Sequence, residues 1–253
     1  MYDLEREQLR KTYQLCRLGF AITAFGLALA CFGSVLGLVG FFNRDLSIWI
    51  HTQMWNQWLR TPIVWGALIG ATLLWGRWNH ASWQRRVGLL LLMCLTNLAL
   101  WFVARGDEMG VQLGDVGHGW LRENVGIALG WGKFALLSSL SSGYLVHLGI
   151  DHASDSDKST RSMAATGALV WMLFFSQQTD WGAGWPLKPR QFGGLEGHLL
   201  VYGFRLIWTI TLIQVTAMVI SAVRQSTHVL DEMDREDQEL DLLRSRSDSH
   251  QAF

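Results

Sequence analysis

Net charge, proline and cysteine are what this sequence has least of. Its 21 basic and 21 acidic side chains cancel, and charged residues make up only 17% of the 253. That excludes the cationic footprint of a general nucleic-acid binder and the charge density that keeps a chain disordered. The three cysteines, Cys16, Cys31 and Cys94, lie in or beside apolar runs, so no disulfide framework is expected. No phosphate-binding loop, nucleotide motif or internal repeat is present.

What the sequence has instead is apolar length, with half its residues hydrophobic and 14 tryptophans among them. Apolar runs occupy residues 18–42, 62–76, 87–104, 125–150, 163–178 and 198–223, several of them near or beyond the roughly 18 residues that mark a membrane span. The expected fold class is an all-α polytopic membrane protein, a six-helix transmembrane bundle. The second and fifth runs reach only about 23 Å at 1.5 Å per residue, less than the ~30 Å hydrocarbon core. Thr61 before Pro62 reads as an N-cap followed by proline at the first helical position. Residues 46–60 interleave Trp49, Trp55 and Trp58 with Gln53, Asn56 and Gln57, the pattern of a helix lying in the headgroup plane.

Three regions follow: an amphipathic segment at 1–17, a transmembrane domain at 18–223 and a charged C-terminal helix or tail at 224–253. In the tail, Val229, Leu230, Met233, Leu240 and Leu243 make a thin apolar stripe among acidic residues. It suits either a solvated tail or docking on the N-terminal helix or a partner. A cleaved leader ending near Ala28–Cys31 is not expected, because the apolar run continues through Phe32, Val35 and Val39. Across six spans, thirteen Lys and Arg fall on the side of the termini and six on the other, which puts both termini in the cytoplasm and the protein in the cell (inner) membrane.

Small residues carry the most regular signal. Gly19, Gly26, Gly33 and Gly40 recur every seven residues in the first run, joined by Gly37, and Gly126 and Gly130 repeat the small-xxx-small spacing in the fourth. In lipid such a face lets backbones approach closely, within one chain or between subunits. Buried cations carry the second signal. Lys133 and Arg205 lie about 12 and 11 Å below the outer ends of the fourth and sixth runs. Glu123, Glu196, Asp180, Gln177, Ser138 and Ser142 are candidate companions in an outward-facing vestibule; the alternative is snorkelling to the interface with ion pairs.

His118 and His198 are weak candidates for a metal, since the loop spacings match no compact ligand motif. A serine–histidine dyad is excluded, because Ser138 lies about 20 Å deep and His198 opens its own helix. No cofactor is expected. The expected partners are membrane lipid and other copies or other membrane subunits, with no nucleic acid.

Three functions are compatible with these features. The first is a non-catalytic subunit of a larger membrane assembly, associating through the glycine face. The second is a small transporter or channel using Lys133 and Arg205, and the third is a membrane enzyme acting on lipid at the outer face. The topology is open to direct test. A reporter fused after residue 253 is expected to be active only in the cytoplasm, and one inserted at residue 110 only outside; activity on the same side for both would rule out the six-span order.

Overall fold

The computed structural model describes residues 2–40, 60–78, 80–108, 118–174 and 195–251. Among them are six helices and no strand: α1 (Tyr2–Gly40), α2 (Arg60–Leu74), α3 (Ala81–Glu108), α4 (His118–His147), α5 (Ala153–Phe174) and α6 (Leu195–Gln251). Two stretches, Glu5–Gly40 and Val201–Leu240, are long and apolar enough to cross a membrane, and Pro62–Leu74 is apolar but shorter. The expected interfacial helix at 46–60 lies outside the described residues, except for its last residue, Arg60, which opens α2.

Consecutive helices touch in turn from α1 to α6, α6 closes the ring back onto α1, and α4 also meets α6. The α1–α2 contact shows why the first run is rich in glycine. A Cβ on Gly19 would lie 3.0 Å from the Gly70 carbonyl oxygen, and one on Gly66 would lie 3.6 Å from the Gly26 Cα. The two backbones therefore cross with almost no side chain between them. Gly33 and Gly40 are buried in the same helix, whereas a Cβ on Gly37 or Gly126 would meet open space. The glycine stripe is thus divided, and Gly19 and Gly26 are occupied by α2 of the same chain.

α1 and α6 run antiparallel along most of their length. Ser34 Oγ lies 2.7 Å from Thr209 Oγ1, and Cys31 Sγ lies 3.2 Å from Thr216 Oγ1. At the far end Arg6 pairs with Glu236 at 2.8 Å and Asp237 at 3.1 Å, and Arg10 pairs with Asp234 and Asp237. The start of α1 therefore lies against residues 233–237 of α6. Leu230 is buried and Val229 and Met233 are half-buried against the core, so this part of the charged tail is docked rather than solvated.

The segment at 1–17 and the first run form one helix, and the sixth run continues without interruption into a helix of 57 residues. Other boundaries differ from the apolar runs. α2 starts at Arg60, which places Pro62 inside the first turn, where its missing N–H costs no bond. α4 ends at His147, and the turn that follows uses Gly149 at φ +87°, a conformation that favours glycine. α5 begins at Ala153, ten residues earlier than its apolar run. Residues 153–162 are mostly polar, yet Ala153, Asp157, Thr160 and Ala164 are buried at helical spacing.

Gly70 supplies the test of the α1–α2 crossing. A Cβ there would overlap Thr23 Oγ1 and approach the Gly19 carbonyl oxygen to 2.8 Å. Gly70→Ala is expected to cost about 1–3 kcal/mol by overpacking, read as a lower midpoint of thermal unfolding in detergent. Gly37→Ala, facing open space, is expected to be neutral or slightly stabilising.

Candidate functional site

Residues of five helices, α1, α2, α3, α4 and α6, line a partly open cavity of about 630 Å³. Its wall is mostly aliphatic and aromatic: Leu27 and Ala30 from α1, Val64 and Ala67 from α2, Phe134 and Leu137 from α4. Its polar groups are few. Lys133 enters from α4, Arg205 from α6, Asn97 from α3 and Thr23 from α1, and no acidic residue is among the described lining. Arg205 Nη1 donates to the Gly37 carbonyl at 3.5 Å, and Thr23 is turned back on its own helix by donating to the Gly19 carbonyl at 2.8 Å.

An aromatic cluster sets the position of the α6 wall. Trp208 packs edge-on against Trp131 and Phe134, with ring centroids 4.8 Å apart in both pairs. Trp131 in turn meets Phe204 at 5.9 Å. Glycines make room for these rings: a Cβ on Gly130 would overlap the Trp208 indole, and one on Gly167 would overlap Trp131. Gly130 therefore acts within the chain, seating a tryptophan beside the cavity. Edge-to-face pairs of this kind contribute about 0.5–1.5 kcal/mol each beyond the area they bury. Arg205 lies one helical turn before Trp208 on α6, so the cluster also fixes where that cation enters.

The expected vestibule residues separate into three groups. Lys133 and Arg205 share the cavity. Ser138 and Ser142 do not line it. Ser138 Oγ donates to Asp157 Oδ1 at 2.7 Å and Ser142 Oγ donates to the Ala153 carbonyl at 3.0 Å, so both are committed to the α4–α5 contact. Asp180 and Gln177 lie outside the described residues, as do the side chains of Glu123, Glu196, His118 and His198. No cluster of three or more metal-ligating side chains occurs among the described residues.

Sequence reasoning passed over Asn97, Thr23 and Trp208 as parts of this site. Asn97 had a visible signal, since it interrupts the apolar run at 87–104 beside Thr96. Trp208 had none, because an indole in a span reads as packing until its neighbours are known.

Chemically, the cavity suits a negatively charged group with an apolar body. Two cationic side chains offer charge-assisted hydrogen bonds, and the aliphatic and aromatic wall covers the rest. Where the serines are committed, Asp157 carries the contact: it also holds Arg161 at 2.8 Å while remaining buried. Asp157→Ala leaves the Ser138 hydroxyl without its carboxylate and is expected to cost about 1–3 kcal/mol. Unfolding followed by tryptophan fluorescence checks this, and a loss no greater than that of an exposed Asp155→Ala would contradict it. Compared with known proteins, the chain matches no family model, no curated sequence and no solved structure.

Proposed function

We propose that the chain is a six-span membrane protein of transporter or channel type, with cytoplasmic termini, that takes an anionic solute into the cavity at Lys133 and Arg205. The observation that carries this reading is the convergence of two cations from different helices on one mostly apolar cavity whose described lining holds no acid. A charge inside a span is costly unless it serves a partner or a pathway, and two at one cavity favour an anion.

The outer surface supports the membrane setting. Leu18, Phe25, Phe32 and Val39 are exposed on α1 at seven-residue spacing, and Leu89, Leu92 and Leu95 are exposed on α3. Buried positions, by contrast, include Thr23, Ser138, Ser141, Thr209, Thr211 and Thr216. Apolar outside with hydroxyls inside is the distribution expected in lipid, where small polar residues join helices, and in water so much exposed apolar surface would be an aggregation liability.

The assembly reading draws less support, because Gly19 and Gly26, two of the seven glycines expected to meet a partner, are covered by α2, and Gly130 seats Trp208, although Gly37 and Gly126 face open space. Reading the protein as a lipid enzyme gains no described residue.

Anion flux from proteoliposomes, with chloride, phosphate and a short carboxylate as probes, tests the proposal. Lys133→Gln and Arg205→Gln are each expected to lower flux of the preferred anion at least tenfold while the protein still elutes as a folded species. Lys133→Arg, which keeps the charge, should retain part of it. Equal flux in wild type and both glutamine variants, or none in wild type for any probe, would overturn the transport reading.

A further inference from the structure

At the end of the bundle that carries both chain ends, a second cavity of about 690 Å³ opens between the start of α1, the α2–α3 turn and the end of α4. It lies roughly 25 Å along α1 from the first, measured from Leu9 to Gly26 at 1.5 Å per residue. Arg77, Arg86, His80 and His147 line it, against one acid among the described lining, Glu5.

The two guanidinium groups are placed by the backbone and leave donors to spare. Arg77 Nε donates to the Leu73 carbonyl at 3.1 Å, and Arg86 Nη1 donates to the Ser139 carbonyl at 3.3 Å. Neither is ion-paired with a carboxylate among the described residues. A guanidinium has five N–H donors in a planar fork that matches phosphate oxygens, so each keeps several for a ligand. The aromatic side of the cavity is firmly set. Trp83 Nε1 donates to the Leu74 carbonyl at 3.2 Å, and Trp78 packs on Trp83 at 5.2 Å and on His147 at 4.1 Å between ring centroids.

We infer that this groove binds the phosphate headgroup of an anionic phospholipid from the leaflet on the side of the termini. Three observations favour a lipid phosphate over a free one. Tryptophans such as Trp78 and Trp83 are the side chains that sit at headgroup level. A basic pocket between membrane helices is a headgroup site by its charge. Below Arg86, α3 presents Leu89, Leu92 and Leu95 outward at three-residue spacing, and α4 presents Val146, giving acyl chains an apolar track that begins at the cationic rim.

The test uses the full chain in mild detergent, titrated with phosphatidylglycerol and separately with phosphatidylcholine and inorganic phosphate, with bound species counted by native mass spectrometry. The expected result is one phosphatidylglycerol held more tightly than the others, with its affinity reduced roughly thirtyfold by Arg77→Gln and Arg86→Gln together, the effect of removing two basic residues near an anionic headgroup. Arg85→Gln, an exposed neighbour that does not line the groove, should change affinity less than threefold. Should the double variant unfold, Arg77→Lys with Arg86→Lys replaces it, and the loss of the planar fork then predicts an intermediate weakening with the charge retained. Equal retention of phosphatidylcholine, an equal loss in Arg85→Gln, no loss in a folded double variant, or binding of inorganic phosphate as tight as that of the lipid would each overturn the inference.

Discussion

The antiparallel seam between α1 and α6 is the constraint on which the rest of the molecule depends. It runs from Arg6 opposite Glu236 to Gly37 opposite Arg205, about 46 Å along each helix at 1.5 Å per residue. Between these ends, Ser34 with Thr209 and Cys31 with Thr216 give the register polar markers inside an otherwise apolar stretch. The ion pairs at the termini are individually weak, worth at most about 1 kcal/mol each where solvent reaches them. Their value lies in position: sliding α6 by one turn would separate Arg6 and Arg10 from Asp234, Glu236 and Asp237 and move Arg205 about 5 Å along the bundle.

Because the seam joins the first helix to the last, it closes the ring of six described helices and turns a string of neighbours into an enclosure. The first cavity exists only inside that closure, since its wall takes residues from α1, α2, α3, α4 and α6 together. Two devices keep the wall in place. The glycine crossing of α1 on α2 sets the distance on one side, and the Trp208–Trp131–Phe134 cluster, seated over Gly130, sets it on the other. The α5 helix lines none of the cavity; through Asp157 and Ala153 it buttresses α4 from behind.

The bundle carries two basic cavities that differ in kind. The first has Lys133 and Arg205 set among mostly apolar side chains, with Arg205 also bonded to the Gly37 carbonyl. The one near the termini has guanidinium groups at a rim, held by backbone carbonyls and flanked by tryptophan, where a bound phosphate remains within reach of water.

How much was legible in the sequence follows from what hydropathy registers. Long apolar runs showed the approximate places of the six described helices, because burial in any apolar surroundings demands the same residue types. Charge offset along the fourth and sixth runs put Lys133 and Arg205 at similar depth, because helix rise is fixed. The first turns of α5 were not legible: its buried positions hold Asp157 and Thr160, whose burial is stable only because Ser138 and Arg161 for one, and the Ser156 carbonyl for the other, stand within bonding distance. A buried polar side chain looks like a solvated one until its partner is known.

By itself, then, the sequence determined that its apolar runs are helical, since that depends on local periodicity and composition, but not where α5 begins. Tertiary structure alone decided which glycines are contacts and which face open space, that Ser138 and Ser142 serve packing rather than the cavity, and that Arg77 and Arg86 meet in one groove. Each of these is a relation between residues far apart in the chain, and the close approach of two backbones is set by both helices at once.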